Sequence, residues 1–520
     1  MKDIIFIEPN SASHVYQGLA KDYAAIETPT WSLLLAQSCR SKGFDVGILD
    51  ANALRLSPQE VCDEVWEQRP RIICFVVYGQ NPNSGTANMV GAYQEAEFIK
   101  NKLLTTQGTM FGVGSTGYAP KIVFVGSHTS ALPLEVLEKK FVDIVLVNEG
   151  VYALHNLLSS KLTEKELETI KGIGWKIGTS LILNEAEKLV PHDRMDIDLP
   201  GYAWDLLPYK ENPFDLYRAH FWHTNYKTDE RSPFAAIYTS LGCTFQCEFC
   251  MINILNRTSN SADVVSSDFN VMRFWSPEFI IKEFDKLADY GVKNIRISDE
   301  MFFLNKKYYE SLLDLLIERD HKFNMWAYSR IDTCREQYLS KFKKAGVNWL
   351  ALGIEAASPT IRQEITKGMF KDVDIRDVVK KIKNSGIKVV GNIIFGFPNE
   401  DYPEMQQTLD LALELKCEFT NMYCAAALPG SPLHRKAKEN NWELPSTPQE
   451  WSFFSYECKP LPTNHLSAAE VLEFRDKAWE ILHADPDYLK MIEETFGADS
   501  RQNLEAQSKI KLKRKLLTHV

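Results

Sequence analysis

Short apolar runs alternate with amphipathic segments in two separate stretches of this chain, and that rhythm restricts the fold more than any single motif. In the first stretch the runs are Ile4–Ile7, Val46–Leu49, Ile72–Val77, Ile122–Val125 and Ile144–Val147. Helical patterns lie between and after them, over Trp31–Ser41, Pro58–Gln68, Ala92–Leu104, Pro133–Lys140 and Val151–Ser160. Runs that are mostly apolar, without polar alternation, suit strands covered on both faces. Residues 1–160 are therefore expected to form a Rossmann-like α/β domain with a parallel sheet. Sheets of this kind bind ligands at the carboxyl ends of their strands.

Residues 161–232 break the rhythm with Pro191, Pro200, Pro208 and Pro213, and intersperse Trp204, Tyr209, Trp222 and Tyr226. Aromatics favour burial, so this segment reads as a connector packed on the domains. Alternation resumes over residues 233–430. The strand candidates there are Ala235–Thr239, Asn294–Ser298, Met325–Ser329, Trp349–Ile354, Val389–Phe395 and Thr420–Ala427. Pro277–Tyr290, Lys306–Arg319, Arg335–Ala345, Ile375–Ser385 and Glu404–Leu415 carry helical patterns between them. Six β/α units make a partial barrel, since a closed one needs eight. Residues 431–520 read as mostly helical, most clearly over Ala468–Ala484.

Charge and cysteine usage narrow the function classes. The formal net charge of −10 over 520 residues argues against a general nucleic-acid binder. No run approaches the roughly 18 apolar residues of a membrane span. The opening residues MKDIIFIEPN are too briefly apolar for a signal peptide. The ten cysteines are scattered through a large chain, which favours reduced thiols or metal ligands and a cytoplasmic location.

Three of those cysteines are not scattered. Cys243, Cys247 and Cys250 stand in the segment Ser240-Leu-Gly-Cys-Thr-Phe-Gln-Cys-Glu-Phe-Cys250, directly after the first barrel strand. Thiolates are soft ligands suited to iron–sulfur clusters. A structural zinc site would call for a fourth Cys or His nearby, and none occurs between residues 251 and 300. Three ligands leave one iron of a 4Fe–4S cluster open to a cofactor or substrate.

The spacing Cx3Cx2C on the first strand-to-helix loop resembles the radical S-adenosylmethionine (SAM) superfamily, and the likeness spans about residues 233–430. It implies a 4Fe–4S cluster on Cys243, Cys247 and Cys250 whose open iron chelates SAM. An external reductant such as flavodoxin or ferredoxin would reduce the cluster, and SAM would be cleaved to a 5′-deoxyadenosyl radical. Ser298-Asp299-Glu300 ends the second strand where the superfamily often has Gly-Gly-Glu; the glycines are missing, and Ser298 and Glu300 are the polar contacts implied. Arg330, ending the third strand, could pair with the SAM carboxylate through its guanidinium fork. Glu355, ending the fourth, resembles a SAM-contacting carboxylate, and Gly391–Pro398 resembles the adenine-side segment. No catalytic acid or base is assigned.

A five-unit α/β domain ahead of such a barrel resembles the cobalamin-binding subclass of the superfamily. The resemblance places Tyr78, Gly126, Ser127, Glu149 and Gly150 near the corrin or its nucleotide tail. The Asp-x-His-x-x-Gly motif that supplies a lower cobalt ligand is absent, because Ala12 and Gln17 flank His14 where Asp and Gly should stand. His128 reads as a polar loop residue. Cys39, Cys62 and Cys74 fall within helices and a strand and read as buried apolar residues. Cys334, Cys417, Cys424 and Cys458 show no close-set spacing, which argues against a second cluster. The implied function is cobalamin-dependent methylation of an unactivated carbon in a small molecule. Cyclisation, rearrangement or oxygen insertion without methyl transfer is the alternative on the same architecture, and a purely sensing or electron-transfer role sits poorly with an open-iron triad in a partial barrel whose six units are all present.

Overall fold

The computed structural model describes residues 2–108, 118–209, 216–218, 233–261, 263–366, 370 and 373–518. All five apolar runs of the first stretch are strands, and they pair in parallel. Ile4–Glu8 lies between Val46–Asp50 and Ile72–Val77, and Lys121–Gly126 and Ile144–Leu146 follow outward. Their near-complete burial fits helices on both faces. The first chain reversal, out from Ile4–Glu8 to one neighbour and back to the other, opens a crevice at the carboxyl ends of those strands.

The sheet does not stop near residue 160. Ile173–Ile177 and Ser180–Leu183 form an antiparallel hairpin that extends it to seven strands through Ile144–Leu146. The signal was present in Ile173, Trp175 and Ile177, which alternate with smaller or polar residues, and in the two-residue turn Gly178-Thr179. Gly178 has φ of +59°, a conformation such hairpin turns favour. Elsewhere the connector packs as expected, with Tyr202, Trp204 and Tyr209 buried. Pro213, Trp222 and Tyr226 lie outside the described residues.

The second stretch folds into six parallel strands in sequence order: Phe234–Ile237, Asn294–Ile297, Asn324–Arg330, Val347–Glu355, Lys388–Phe395 and Phe419–Cys424. This is the open barrel expected from the alternation. Helix Ala468–Ala484 has the predicted bounds, because Ser467 and Glu470 close a capping box at its start and Pro486 follows its end. The two sheets share one apolar core that includes Ile4, Trp31, Tyr78, Phe234, Ile297 and Met325. That common core fixes the carboxyl ends of the two sheets against each other.

Candidate active site

The cysteine loop is held by its own backbone geometry. Gly242 precedes Cys243 at φ of +87°, and a Cβ there would come within 2.0 Å of the Val271 carbonyl oxygen. Only glycine fits this position. Asn253 brackets Cys243, accepting from its N–H at 2.9 Å and donating to its carbonyl at 2.7 Å. Ser266 donates to the Cys250 carbonyl at 2.5 Å. The three thiols line one cavity. Among the described residues no three His, Cys, Asp or Glu side chains converge as ligands to a single metal ion. Three thiols around a shared space are soft ligands of the kind an iron–sulfur cluster takes.

Burial pushes the Cys243 thiol up to about 12 and Cys247 to about 11. The Arg330 charge and hydrogen bond pull Cys247 back down against burial and the Glu355 charge. Thiols in this setting keep their protons in water and lose them to a coordinated metal.

Glu300, Arg330 and Glu355 line the same cavity as the cysteines. Glu355 sits where the fourth and fifth strands shift register, at φ of +65°, an uncommon backbone state for a side chain other than glycine. Burial raises its carboxyl to about 7 despite the opposing Arg330 charge. Glu300 is raised to about 8 by burial, with Arg296 opposing and Asp299 adding to the rise. Both acids would ionise more readily beside a cationic ligand. Arg330 is engaged within the chain. Its fork closes on Asp332 at 2.6 Å through both Nε and Nη2, and its plane covers the Phe245 ring at 3.6 Å. In this structure the fork assigned to the SAM carboxylate is engaged by Asp332.

Ser298 is buried behind the cavity and does not line it. Its neighbour Asp299 is structural, accepting from the Thr239 N–H and from the Thr239 and Ser240 hydroxyls at 2.5–2.6 Å. These bonds pin the end of the first barrel strand just before the cysteine loop.

The residues expected at the corrin are not gathered at a cavity surface. Tyr78 stacks on Trp31 at 4.5 Å. Gly126, at φ of +153°, leaves no room for a Cβ against the Val77 carbonyl. The Ser127 hydroxyl donates to the Pro82 carbonyl at 2.6 Å. Glu149 accepts from the Val190 N–H at 2.5 Å and pairs with Arg273 at 2.8 Å, both charges buried. Gly150 starts helix Val151–Ser159 in the left-handed conformation. These five support the strand ends from beneath. His128 is buried against Thr86 at 3.2 Å, and burial drops its pKa to about 4.

The space itself lies beside them. The crevice where the first sheet reverses is lined by Glu8, Asn10, Gly79 and Gln80. Tyr16 and Gln80 border this crevice and also the cysteine-lined cavity, so the two adjoin. No histidine lines either space among the described residues. A corrinoid held in this crevice would meet no His on its described lining.

Three residues that fix this arrangement escaped the sequence reading. Arg296, fully buried on the second barrel strand, pairs with Glu27 at 2.6 Å and donates to the Gln80 carbonyl, which ties the barrel to the N-terminal domain. An arginine inside the strand Asn294-Ile-Arg-Ile297 was the visible sign, since a buried charge needs a partner. Asn83 reaches Cys250 from the N-terminal domain, and nothing in its sequence context marked it.

Comparison with known proteins agrees with this geometry. Residues 237–412 match the model of the radical SAM superfamily. The chain is 27% identical to an uncharacterized methyltransferase of Pyrococcus horikoshii, over 89% of each protein. Its fold matches the radical SAM methyltransferase TsrM from Kitasatospora setae, solved with cobalamin and a [4Fe-4S] cluster, at a TM-score of 0.64 and 15% identity over 98% of this chain and 99% of that one. It also matches the cobalamin-dependent SAM radical enzyme OxsB at a TM-score of 0.65 and 14% identity, over 97% of this chain and 72% of that one. Residues 237–412 thus carry a radical SAM domain, and the chain as a whole has the two-domain fold of these two solved enzymes.

Proposed function

We propose that this chain is a cobalamin-dependent radical SAM methyltransferase acting on an unactivated carbon of a small molecule. The observation that carries the reading is the adjacency of the two spaces: the cysteine-lined cavity of the barrel adjoins the reversal crevice of the N-terminal sheet at Tyr16 and Gln80. When bound, the cluster would supply the electron that cleaves SAM to a 5′-deoxyadenosyl radical, and the corrinoid the methyl group. Cys243, Cys247 and Cys250 would hold the cluster. Glu300 and Glu355 face the same cavity and are suited to accept hydrogen bonds from the SAM amino group and ribose. Trp326, Tyr328, Tyr423 and Phe454 give the cavity aromatic walls that would exclude water from a reacting carbon.

A low-potential one-electron donor such as flavodoxin or ferredoxin is the implied partner. No described helix is long and apolar enough to cross a membrane. The free cysteines fit a reducing compartment, and we place the protein in the cytoplasm. The test is isotope transfer from methyl-labelled SAM. Reduced, cluster-loaded protein incubated with cobalamin and small-molecule extracts should yield a product heavier by one labelled methyl. Consumption of SAM with products that never carry the label would favour cyclisation, rearrangement or oxygen insertion instead.

A further inference from the structure

The N-terminal domain does more than stand beside the cysteine loop; it touches a ligand. Asn83 lies in the short turn Pro82–Ser84 that follows the third strand of the N-terminal sheet. Its Nδ2 donates to Cys250 Sγ at 3.7 Å, and its Oδ1 accepts from the Met251 N–H at 2.9 Å. The second bond settles the orientation of the amide, because only the oxygen can accept from Met251, so the NH2 group must face the sulfur. The turn is itself braced. The Asn81 side chain accepts from the Asn83 N–H at 3.0 Å, and Ser127 holds the Pro82 carbonyl. Gly85 follows where a Cβ would meet Ser127 Oγ at 2.1 Å and the Val77 carbonyl at 2.9 Å.

Cys243 and Cys247 take their hydrogen bonds from the barrel domain, from the Phe245 N–H at 3.4 Å and from Arg330. Cys250 has one from the Ile252 backbone and one from Asn83. Hydrogen bonds to the sulfurs of an iron–sulfur cluster help set its reduction potential. A donor aimed at a ligand sulfur favours the form carrying more negative charge, which is the reduced one.

We propose that Asn83 is a positioning residue through which the N-terminal domain raises the reduction potential of the cluster on Cys243, Cys247 and Cys250. The step concerned is uptake of one electron by the oxidised cluster from a low-potential donor, with no bond made or broken. The proposal rests on the cluster reading above. It gives Ser127 and Gly85 a purpose as well, since they fix the turn that presents the amide.

The test is a dithionite titration of the full-length, cluster-reconstituted protein, followed by electron paramagnetic resonance, for wild type, Asn83→Leu and Asn83→Asp. Asn83→Leu removes the donor and should shift the reduction equilibrium about tenfold toward the oxidised form, or about 59 mV for one electron. Asn83→Asp keeps an acceptor for Met251, removes the donor and adds a negative charge, so its shift should be larger in the same direction. Midpoints equal to or above wild type would overturn the proposal. So would loss of the cluster from both variants, which would make Asn83 a support of the loop alone. If only Asn83→Leu fails to load, the Asn83→Asp midpoint decides. A wild-type protein that takes up no cluster would instead overturn the reading beneath, and iron content with the optical spectrum separates the two failures.

Discussion

The two sheets meet carboxyl end to carboxyl end, yet they present ligands in opposite ways. At the barrel mouth the chemistry lies on side chains that face the cavity: three thiols, Glu300, Arg330 and Glu355. At the N-terminal sheet the conspicuous polar residues turn inward, with Ser127 on Pro82, Glu149 on Arg273 and Tyr78 on Trp31, and the crevice beside them is bordered largely by loops. A cluster and a sulfonium cofactor are held by specific atoms. A large corrinoid without a lower His ligand would be held mainly by shape and by backbone brought close. The same contrast separates residues whose loss removes chemistry from residues whose loss removes structure.

Substitutions should divide along that line. The largest effect is expected for Cys247→Ala, which should abolish the cluster absorption and SAM cleavage while leaving the far-UV circular dichroism unchanged. Glu149→Gln should act on folding, because it leaves Arg273 buried without its charge partner. Breaking such a pair costs about 3–5 kcal/mol, to be read in a denaturant titration with cluster-free protein. Glu355→Gln should weaken SAM binding about tenfold with little change in folding, measured by equilibrium dialysis with cluster-loaded protein. Unfolding of Glu355→Gln at much lower denaturant would move that residue to the structural side.

A smaller, graded effect is expected with pH. Burial holds Glu300 at about 8, Glu95 at about 8 and Glu355 at about 7, all above the ordinary carboxylate range. Between the unfolded and folded pKa values the folded chain binds more protons than the unfolded one, so stability falls as pH rises through that window. Above about pH 6.5, where the histidines lowered to about 4 no longer titrate in either state, the Tm of cluster-free protein should therefore decline up to about pH 8, and the decline should flatten in Glu300→Gln. A Tm that rises across this range would contradict the buried placement of these acids. The smallest effect is expected for His128→Ala at the corrinoid, whose optical spectrum should not change when the histidine is replaced.

The barrel mouth was legible in the sequence because its ligands carry their own spacing and fall at the ends of regular strands. Both β/α rhythms were legible for a related reason: buried parallel strands are written as apolar runs. The hairpin Ile173–Leu183 was hidden by its short strands, although Gly178-Thr179 marks its turn. The placement of Ser127 and Glu149 was not legible, since a polar residue after a strand looks the same whether it meets a ligand or a neighbouring carbonyl. Asn83 and Arg296 act across the domain interface, and one strand's sequence does not contain the other side of a contact. Arg330 lines the cavity at the end of its strand, and its fork meets Asp332 two positions away.

The central claim is that the cysteine cavity and the reversal crevice form one reaction space. The direct measurement is electron paramagnetic resonance of the full chain carrying both cob(II)alamin and the reduced cluster. Bound corrinoid is expected to show a cobalt signal broadened or split by the cluster spin, and a sharp cobalt signal in Cys247→Ala. Cluster-loaded protein that retains no corrinoid, or a cobalt signal identical with and without the reduced cluster, would contradict it.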